Sequence, residues 1–429
     1  MNYRRKNGIS FYEEIYKRCV VLLKKIICIL LCVCAFSSFF TVSASSTAVT
    51  VSSECDISDL EIPLEAVSTN AAIGETLDIK AKSAFLIEPH SGRVLYENNS
   101  DEVLKPASIT KIMSLLLIME AIDRKELTLE TLISASEHAC SMGGSQIWLE
   151  PGEGMSVHDL LKATVIASAN DATVALGEAI AGSEEGFVAL MNERAQELGM
   201  SNTTFKNCTG LDAEGHVTSA HDVGLMSAEL IKHPLIKEYS TVWMDTLRDG
   251  KSELVNTNKL VRFYKGTTGL KTGTTSGAGY CLSATAERDG MELVAVIMGG
   301  ETSNDRFNGA KKLLDYGFSN YSYTEIAPEL PENKTVKLKN GTQKTVSFTA
   351  GKPLGLLTEK RTQSEYTQNI VLKDNLTAPI KKGDTIGVIE VSRDGEVIGT
   401  IELLSTEDIG KMNIKTAFFW LLESLFSLR

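Results

Sequence analysis

The segment Lys105-Pro-Ala-Ser-Ile-Thr-Lys111 decides the fold, because it opens a helical stretch over residues 108–122 that is apolar on nearly all sides. A helix that is apolar all round is a buried one. Pro106 favours a helix start, which puts Ser108 in the first turn, where backbone N–H groups lack partners and the helix dipole is positive. The segment therefore predicts a central buried helix with a serine at its mouth.

Lys111 follows Ser108 by three residues, so the two side chains share one face of the helix. Desolvation disfavours the charged form of a lysine on an apolar helix. A neutral lysine can take the proton of a serine hydroxyl without any histidine. Ser-x-x-Lys occurs only here in the chain, and the pair predicts a serine nucleophile with a lysine base.

Two further polar motifs follow in chain order. Ser168-Ala169-Asn170 separates two helical patterns, so both polar side chains are expected to project from a loop into a cleft. Lys271-Thr272-Gly273 precedes a hairpin signal, where the glycine would let a substrate backbone approach an edge strand closely. Each motif is weak alone, but the three in this order and context strongly indicate one site.

Other common hydrolase chemistries find no support in the chain. Neither GxSxG nor HExxH occurs, which argues against an α/β-hydrolase serine and a zincin site. The six histidines and the cysteines show no metal-ligand spacing, so neither a metal nor a cofactor is expected.

Around the motifs, residues 82–322 are predicted to form an α+β domain, an antiparallel sheet flanked by helices. The continuous apolar run 293–298 predicts a central strand covered on both faces. Hairpins are predicted from residues 83–88 with 93–97 and from 279–287 with 291–298; further helices are predicted at 157–167, 171–181, 184–198 and 304–318.

Beyond a linker at Pro328 and Pro331, short strand patterns separated by Asn-Gly and Asp-Gly turns predict a small all-β domain, residues 326–408. Residues 411–429 carry an apolar face, three adjacent aromatics and flanking cations, which suits an amphipathic helix lying on a membrane surface. The alternative is a helix docked on the protein itself or on a partner.

The N-terminus predicts export. Residues 1–44 combine a basic start, an apolar run and small residues before Ala44, as in a signal peptide, although an uncleaved anchor is the alternative. Residues 45–81 have no clear apolar period and are interpreted as a leader, with folded structure expected to begin near Lys82. The body is expected outside the cytoplasmic membrane of a bacterium.

The net charge becomes more negative when the N-terminal segment is left out of the count. The 429 residues hold 43 Lys+Arg and 55 Asp+Glu, a formal charge of −12; without residues 1–44, 36 basic and 53 acidic residues remain, or −17. Such an acidic body argues against nucleic acid as a partner. Export permits disulfides, but Cys55, Cys140, Cys208 and Cys281 allow three pairings, and free thiols are equally compatible with the sequence.

With these motifs the chain resembles the serine penicillin-recognising enzymes, and more narrowly the low-molecular-mass penicillin-binding proteins of the D-alanyl-D-alanine carboxypeptidase family. The likeness is carried by Pro106-Ala-Ser-Ile-Thr-Lys111, Asn207-Cys-Thr-Gly-Leu211, Gly269-Leu-Lys-Thr-Gly273, Ala278-Gly-Tyr280 and Lys311-Lys-Leu-Leu-Asp-Tyr-Gly-Phe318. It implies a β-lactamase/transpeptidase-like fold followed by the small β-domain and the amphipathic tail.

The resemblance also implies a role for each site residue. Ser108 would be acylated and Lys111 would activate it. Ser168 would relay protons to the leaving amine, and Asn170 would hold the substrate amide and Lys111. The terminal carboxylate would be bound by Lys271, Thr272 and Arg306, and backbone N–H groups of Ser108 and Thr274 would form the oxyanion hole beside Gly273. Where family members often carry His and an acidic residue, this chain has Thr274 and Ser276.

The implied activity is removal of the terminal D-alanine from peptidoglycan pentapeptide stems, with β-lactams acylating the same serine. Three alternatives remain: DD-endopeptidase or transpeptidase action on cross-links, β-lactamase activity, and a non-catalytic wall-binding module. The sequence offers no clear glutamate for the rapid deacylation of a β-lactamase, and the intact Ser108, Lys111 and Lys271 argue against a non-catalytic module.

Overall fold

The computed structural model describes residues 77–361 and 365–418. The predicted signal peptide, most of the leader including Cys55, and the predicted tail helix beyond residue 418 lie outside the described residues. Residues 414–418 are helical. Within the described ranges, no helix is both long and apolar enough to cross a bilayer.

A five-stranded antiparallel sheet organises the larger domain, and the strand order is β2-β1-β9-β8-β7. Its strands are β1 (Ser83–Glu88), β2 (Arg93–Asn98), β7 (Thr267–Thr275), β8 (Gly279–Arg288) and β9 (Met291–Gly300). Both predicted hairpins are confirmed. The β8–β9 turn contains Asp289 and Gly290 at φ +51° and +76°, left-handed values typical of a two-residue hairpin turn.

The predicted central strand is confirmed in β9, whose ten residues are all buried. Successive side chains of a strand point to opposite faces. Val294, Val296 and Met298 accordingly join one hydrophobic cluster, whereas Leu293, Ala295 and Ile297 join another. The sheet is therefore packed on both faces.

Helices cover the two faces. Residues 77–322 form nine α-helices, which are α1 (Lys111–Asp123), α2 (Glu137–Cys140), α3 (Val157–Ile166), α4 (Asn170–Ala181), α5 (Glu184–Glu197), α6 (Ala220–Leu230), α7 (Leu235–Ser240), α8 (Leu260–Phe263) and α9 (Ser303–Asn320). Helix α1 lies in the cluster on one face and α9 in the cluster on the other. Two short hairpins accompany them, β3 (Leu132–Ser134) with β4 (Gly154–Ser156) and β5 (Met244–Leu247) with β6 (Ser252–Val255).

The expectation that folded structure begins near Lys82 is wrong by several residues. Leu77, Ile79 and Ala81 pack against the cluster that contains α9, and Asp78 accepts a bond from Lys312 on that helix. The three apolar residues alternate with polar ones, so one side of this extended segment can be buried while the other stays in solvent.

The predicted β-rich region contains a second antiparallel sheet, with strand order β11-β12-β16-β15-β14. The strands are β11 (Thr335–Lys337), β12 (Thr345–Ala350), β14 (Tyr366–Leu372), β15 (Thr385–Arg393) and β16 (Glu396–Ser405). Its hydrophobic cluster is separate from those of the larger domain. The two domains meet where β10 (Tyr321–Ile326) pairs with β13 (Leu354–Glu359).

Candidate active site

Ser108 lies on a tight turn before the buried helix and not within its first turn. Residues Ala107–Thr110 form a 3₁₀ helix, and α1 begins only at Lys111. Ala107 has φ +50°, a left-handed conformation that an α-helical start at this point cannot accommodate. The predicted pairing of Ser108 with Lys111 is nevertheless present, because side chains three residues apart eclipse in a 3₁₀ turn.

Two glycines let other segments approach this turn. A Cβ on Gly210 would overlap the carbonyl oxygen of Ala107, and one on Gly273 would lie 3.0 Å from the backbone nitrogen of Ser108. Gly273 is thus needed for close packing of β7 against the turn that carries the serine. As predicted, the Lys-Thr-Gly motif precedes the β8–β9 hairpin; it lies inside β7, which is the edge strand of the sheet.

Lys111 is fully buried and is held by three oxygens. Its Nζ lies 3.1 Å from Ser108 Oγ, 2.6 Å from Asn170 Oδ1 and 2.7 Å from the carbonyl oxygen of Thr209. Desolvation lowers the pKa of Lys111 to about 7, against the opposing influence of Cys208 and Asp171. A lysine so placed is partly neutral near neutral pH.

The geometry of these contacts directs the lone pair of neutral Lys111. Asn170 Oδ1 and the Thr209 carbonyl can only accept hydrogen bonds. They therefore take the two N–H bonds of a neutral amine and leave its lone pair to face the hydroxyl of Ser108. Sequence analysis missed the part played by Thr209, although it lies in the Asn207-Cys-Thr-Gly segment. Asn207 Oδ1 accepts bonds from the backbone of Thr209 and Gly210 and so fixes this carbonyl.

The second motif lies opposite the serine turn. Ser168 and Ala169 separate α3 from α4, whereas Asn170 is the first residue of α4 and not part of the expected loop. Ser168 Oγ accepts a bond of 2.8 Å from Lys271 Nζ. Asn170 thus contacts Lys111 while Ser168 contacts Lys271, and the motif joins the two lysines of the site.

Lys271 is also buried, and its Nζ donates to the carbonyl oxygen of Thr272 at 3.0 Å. Desolvation lowers the pKa of Lys271 well below its usual 10.5, and the nearby charges of Lys111 and Arg306 act in the same direction. The cationic form is therefore disfavoured until an anion arrives. A carboxylate beside Nζ would restore it, since an opposite charge favours the charged form.

Arg306, on α9, braces the end of β7. Its Nη1 donates to the carbonyl oxygen of Gly273 at 3.0 Å and to Thr274 Oγ1 at 2.9 Å. Thr272 Oγ1 donates to Thr257 Oγ1 at 2.7 Å on the other side of the strand's end. The structure thus brings together all nine residues predicted for the site, at one edge of the sheet.

The loop of residues 143–149 forms a wall of the site that the sequence did not predict. Asn170 donates through its backbone N–H to the Ser145 carbonyl at 2.7 Å and through Nδ2 to the Gly143 carbonyl at 2.6 Å. The buried carboxylate of Asp171 accepts bonds from the backbone N–H groups of Ile147 and Leu149. The sequence signal for this wall is the acidic Asp171 directly after Ser-x-Asn.

The structure describes three of the four cysteines that follow the predicted signal peptide. Cys140, Cys208 and Cys281 are free thiols, the last two buried. Among the cysteines that the structure describes, the free-thiol alternative is therefore the one observed.

The fold and the site together define a serine enzyme of the penicillin-binding class: a Ser-Lys pair lies between a helical lobe and the edge strand of an antiparallel sheet. Residues 67–302 match the family described as D-alanyl-D-alanine carboxypeptidase, and residues 321–411 match the C-terminal domain of penicillin-binding protein 5. The chain belongs to the D-alanyl-D-alanine carboxypeptidase family.

Individual relatives agree. The chain is 46% identical to D-alanyl-D-alanine carboxypeptidase DacF of Bacillus subtilis, over 79% of this chain and 88% of the relative. Penicillin-binding protein 5 of Haemophilus influenzae has a similar structure, with a TM-score of 0.64 and 31% identity over 79% of this chain and 99% of that one. Ampicillin-bound penicillin-binding protein D2 of Listeria monocytogenes gives a TM-score of 0.52 and 34% identity, over 57% and 100%.

Proposed function

We propose that the protein is a serine-type D-Ala-D-Ala carboxypeptidase that removes the terminal D-alanine from peptidoglycan pentapeptide stems through an acyl-enzyme on Ser108. One observation carries the proposal. The buried Nζ of Lys111 lies 3.1 Å from Ser108 Oγ, and the pKa of Lys111 is lowered to about 7 by desolvation. A base with a pKa near the working pH is the most effective one for general-base catalysis.

In the acylation step, neutral Lys111 takes the proton of Ser108 while Oγ attacks the carbonyl carbon of the penultimate D-alanine. The tetrahedral oxyanion is held by the backbone N–H groups of Ser108 and Thr274, a contribution of about 3–4 kcal/mol per donor. Collapse breaks the peptide bond: Ser168 gives its hydroxyl proton to the leaving amine and regains one from protonated Lys111, which is thereby neutral again for deacylation. Terminal D-alanine leaves, and the shortened stem remains as an ester on Ser108.

Recognition of the terminal carboxylate falls to Lys271, Thr272 and Arg306. Binding of the carboxylate favours the protonated form of Lys271, whose Nζ donates to Ser168 Oγ in its absence. Charge at the substrate terminus therefore changes the hydrogen bonding of Ser168. Carboxylate binding and proton relay are coupled through this one contact.

Deacylation regenerates the enzyme. Water attacks the ester carbonyl, Lys111 accepts a water proton, and Ser108 recovers its hydrogen as the shortened stem leaves. A β-lactam would acylate Ser108 in the same way, but the amine of its opened ring stays attached to the acyl group, and we expect slow deacylation. The ampicillin-bound relative supports the choice of β-lactams as probes.

A Ser108→Ala variant tests the assignment, with release of D-alanine from diacyl-Lys-D-Ala-D-Ala as the measurement. Release should fall to background, and penicillin should no longer label the protein. Ser392→Ala in β15 makes the same chemical change in the small domain and should leave both signals intact. Retained D-alanine release by Ser108→Ala would overturn the proposal.

Defined muropeptides separate the alternatives. Mass spectrometry of the products with cross-linked dimers detects endopeptidase action, and new dimers from pentapeptide monomers detect transpeptidation. Rapid turnover of penicillin would indicate a β-lactamase. A slowly decaying acyl-enzyme together with free D-alanine supports the carboxypeptidase.

We also propose that the protein acts outside the cytoplasmic membrane, with residues 1–44 as its export signal and residues 411–429 as a helix on the membrane surface. The domain limits proposed from the sequence are 45–81 for the leader, 82–322 for the catalytic domain and 326–408 for the β-domain; the packing of Leu77, Ile79 and Ala81 supports extending the catalytic domain to include residues 77–81. The sequence patterns support this: a basic start, apolar run and small residues at one end, and an apolar face with flanking cations at the other.

Liposome co-sedimentation tests the tail. A chain ending at Asn413 keeps the hydrogen bond that the Met412 N–H donates to the Asn340 carbonyl. The full body should sediment with anionic vesicles and the shortened one should stay in solution. Equal sedimentation of the two would remove the membrane role of the tail.

A further inference from the structure

Trp148 has an unusual combination of exposure and backbone conformation. Its side chain is 75% exposed, and its φ is +58°. Left-handed φ is uncommon outside glycine, asparagine and aspartate, and it is a genuine outlier for a bulky residue. The residues on either side, Ile147 and Leu149, are buried. The chain thus turns a large apolar ring outward at a position where solvent offers it no compensation.

This conformation is held from both sides of the backbone. Asp171 accepts bonds from the N–H groups of Ile147 and Leu149, both at 3.1 Å. Arg248 donates to the carbonyl oxygens of Ile147 at 2.9 Å and Trp148 at 3.3 Å. Arg248 is itself fixed by Glu153 through bonds of 2.8 and 3.0 Å. Presentation of the indole therefore uses two charged side chains and a supporting carboxylate.

The same loop is continuous with the active site. Asn170 bonds the carbonyl oxygens of Gly143 and Ser145, and Asp171 is the next residue in the chain. The Cα atoms of Ser145 and Trp148 are at most about 10 Å apart, since an extended chain advances ~3.3–3.6 Å per residue. Residues 143–149, the rim loop, therefore carry Trp148 within about 10 Å of the point where the loop bonds Asn170 beside Lys111.

We propose that Trp148 is a specificity-determining residue that binds the aliphatic side chain of the amino acid preceding the D-alanyl-D-alanine pair. This inference rests on the proposed function and names the part of the substrate that the rim contacts. An indole face takes methylene groups well and has a polar N–H only at one edge. The preceding residue is the first one upstream of the attacked carbonyl, so a side chain of four or more atoms extends from the cleft toward its rim.

A series of peptides with side chains of different length tests the contact between Trp148 and the substrate. Nα-acetyl-Xaa-D-Ala-D-Ala is prepared with alanine, norleucine or Nε-acetyl-lysine as Xaa, and kcat/KM is measured by D-alanine release. Norleucine has three more carbons than alanine, and burying about half of their surface against the indole corresponds to a preference of about tenfold. The wild-type chain should show this preference for both long side chains.

Three variants provide the comparison. Trp148→Gly removes the ring and suits the left-handed backbone, so it should fold at least as well as the wild type. Its preference for norleucine over alanine should fall to less than about twofold, whereas Trp148→Phe should keep most of the preference because a ring remains. Val397→Ala, at an exposed apolar position in β16, should match the wild type.

Two further measurements keep the outcomes distinct. Acylation by 6-aminopenicillanic acid, which lacks a side chain to meet the indole, checks that Ser108 remains reactive in Trp148→Gly. Affinities of the same peptides for variants in a Ser108→Ala background give the side-chain preference without turnover. The contact with Trp148 is therefore tested even if no peptide is cleaved. Failure of the wild type to release D-alanine would refute the proposed function. An unchanged norleucine preference in Trp148→Gly, by affinity or kcat/KM, would refute the role of Trp148.

Discussion

Replacing Asn170 by aspartate should move the pH dependence of Ser108 acylation to higher pH. Lys111 must be neutral to accept the serine proton, and desolvation lowers its pKa to about 7. In the wild type, the neutral fraction of Lys111 rises from about one tenth at pH 6 to about nine tenths at pH 8. The acylation rate should therefore increase about ninefold between these pH values and level off above them.

The substitution changes the charge next to Nζ with little change of shape. Asn170 Oδ1 lies 2.6 Å from Lys111 Nζ, and a carboxylate at that distance would favour the cation. A neighbouring opposite charge shifts a pKa by about 1–3 units. The midpoint of acylation should therefore move from about pH 7 to roughly pH 8–10. The rate at pH 7 would fall by about fivefold for a shift of one unit and by several hundredfold for a shift of three, with recovery at high pH.

The assay is the second-order rate of labelling by a fluorescent penicillin from pH 5 to pH 10, with circular dichroism to confirm that the fold persists. The position of the midpoint is the readout, because Asn170 also contacts substrate and its replacement can lower the plateau. Asn308→Asp makes the same change on the exposed surface of α9 and should leave the midpoint where it is. A flat wild-type profile, or an unmoved midpoint in Asn170→Asp, would refute Lys111 as the base.

Three other substitutions give separate tests. Gly273→Ala would push β7 off the turn that carries Ser108, lowering stability by about 1–3 kcal/mol in a urea titration and slowing penicillin labelling more than tenfold. Asp171→Asn replaces an acceptor-only carboxylate facing two N–H groups and should lower stability by about 1–3 kcal/mol, with faster amide hydrogen exchange confined to residues 145–149. Folding lowers the pKa of Lys111 from 10.5 to about 7, so the unfolded chain binds more protons than the folded one between these pH values. The free energy of unfolding should therefore rise with pH across that window. Lys111→Met should reduce the slope of unfolding free energy against pH by up to about 1.4 kcal/mol per pH unit.

Local patterns in the sequence were sufficient for the elements that build the site. The strand at residues 291–298 was predictable because its apolar run leaves no polar face. The contact of Ser108 with Lys111 was predictable because a spacing of three places both side chains on one side of either an α or a 3₁₀ helix. Placement of Ser108 within the α-helix failed, since the left-handed Ala107 depends on the close approach of Gly210 and β7.

Contacts made by backbone atoms could not be predicted from the sequence. The third oxygen around Lys111 is the carbonyl of Thr209, and any residue could supply a carbonyl there. The position of this carbonyl depends on the turn that Asn207 fixes. That turn lies more than ninety residues along the chain from Lys111, which the carbonyl contacts. The wall at residues 143–149 likewise depends on Asp171 and Arg248, whose side chains meet it only after the chain has folded.

Several strained backbone positions of this protein lie at or beside the active site, although Lys125, after the end of α1, also has φ +62°. Asparagine and aspartate tolerate positive φ, but alanine, serine, tryptophan and arginine do so at a cost of order 1–3 kcal/mol each. Ala107, Trp148, Ser168 and Arg248 all have φ between +50° and +63°. The first three lie in the serine turn, the rim loop and the Ser-x-Asn motif, and Arg248 donates hydrogen bonds to the rim loop from outside it. Each of these backbone conformations is held by hydrogen bonds or close packing from a neighbouring segment. If one of them relaxed, the side chain at that position or next to it would move. The rigid network around Lys111 and Asp171 therefore serves to keep Ser108, Ser168 and the indole in positions that an unconstrained chain would leave.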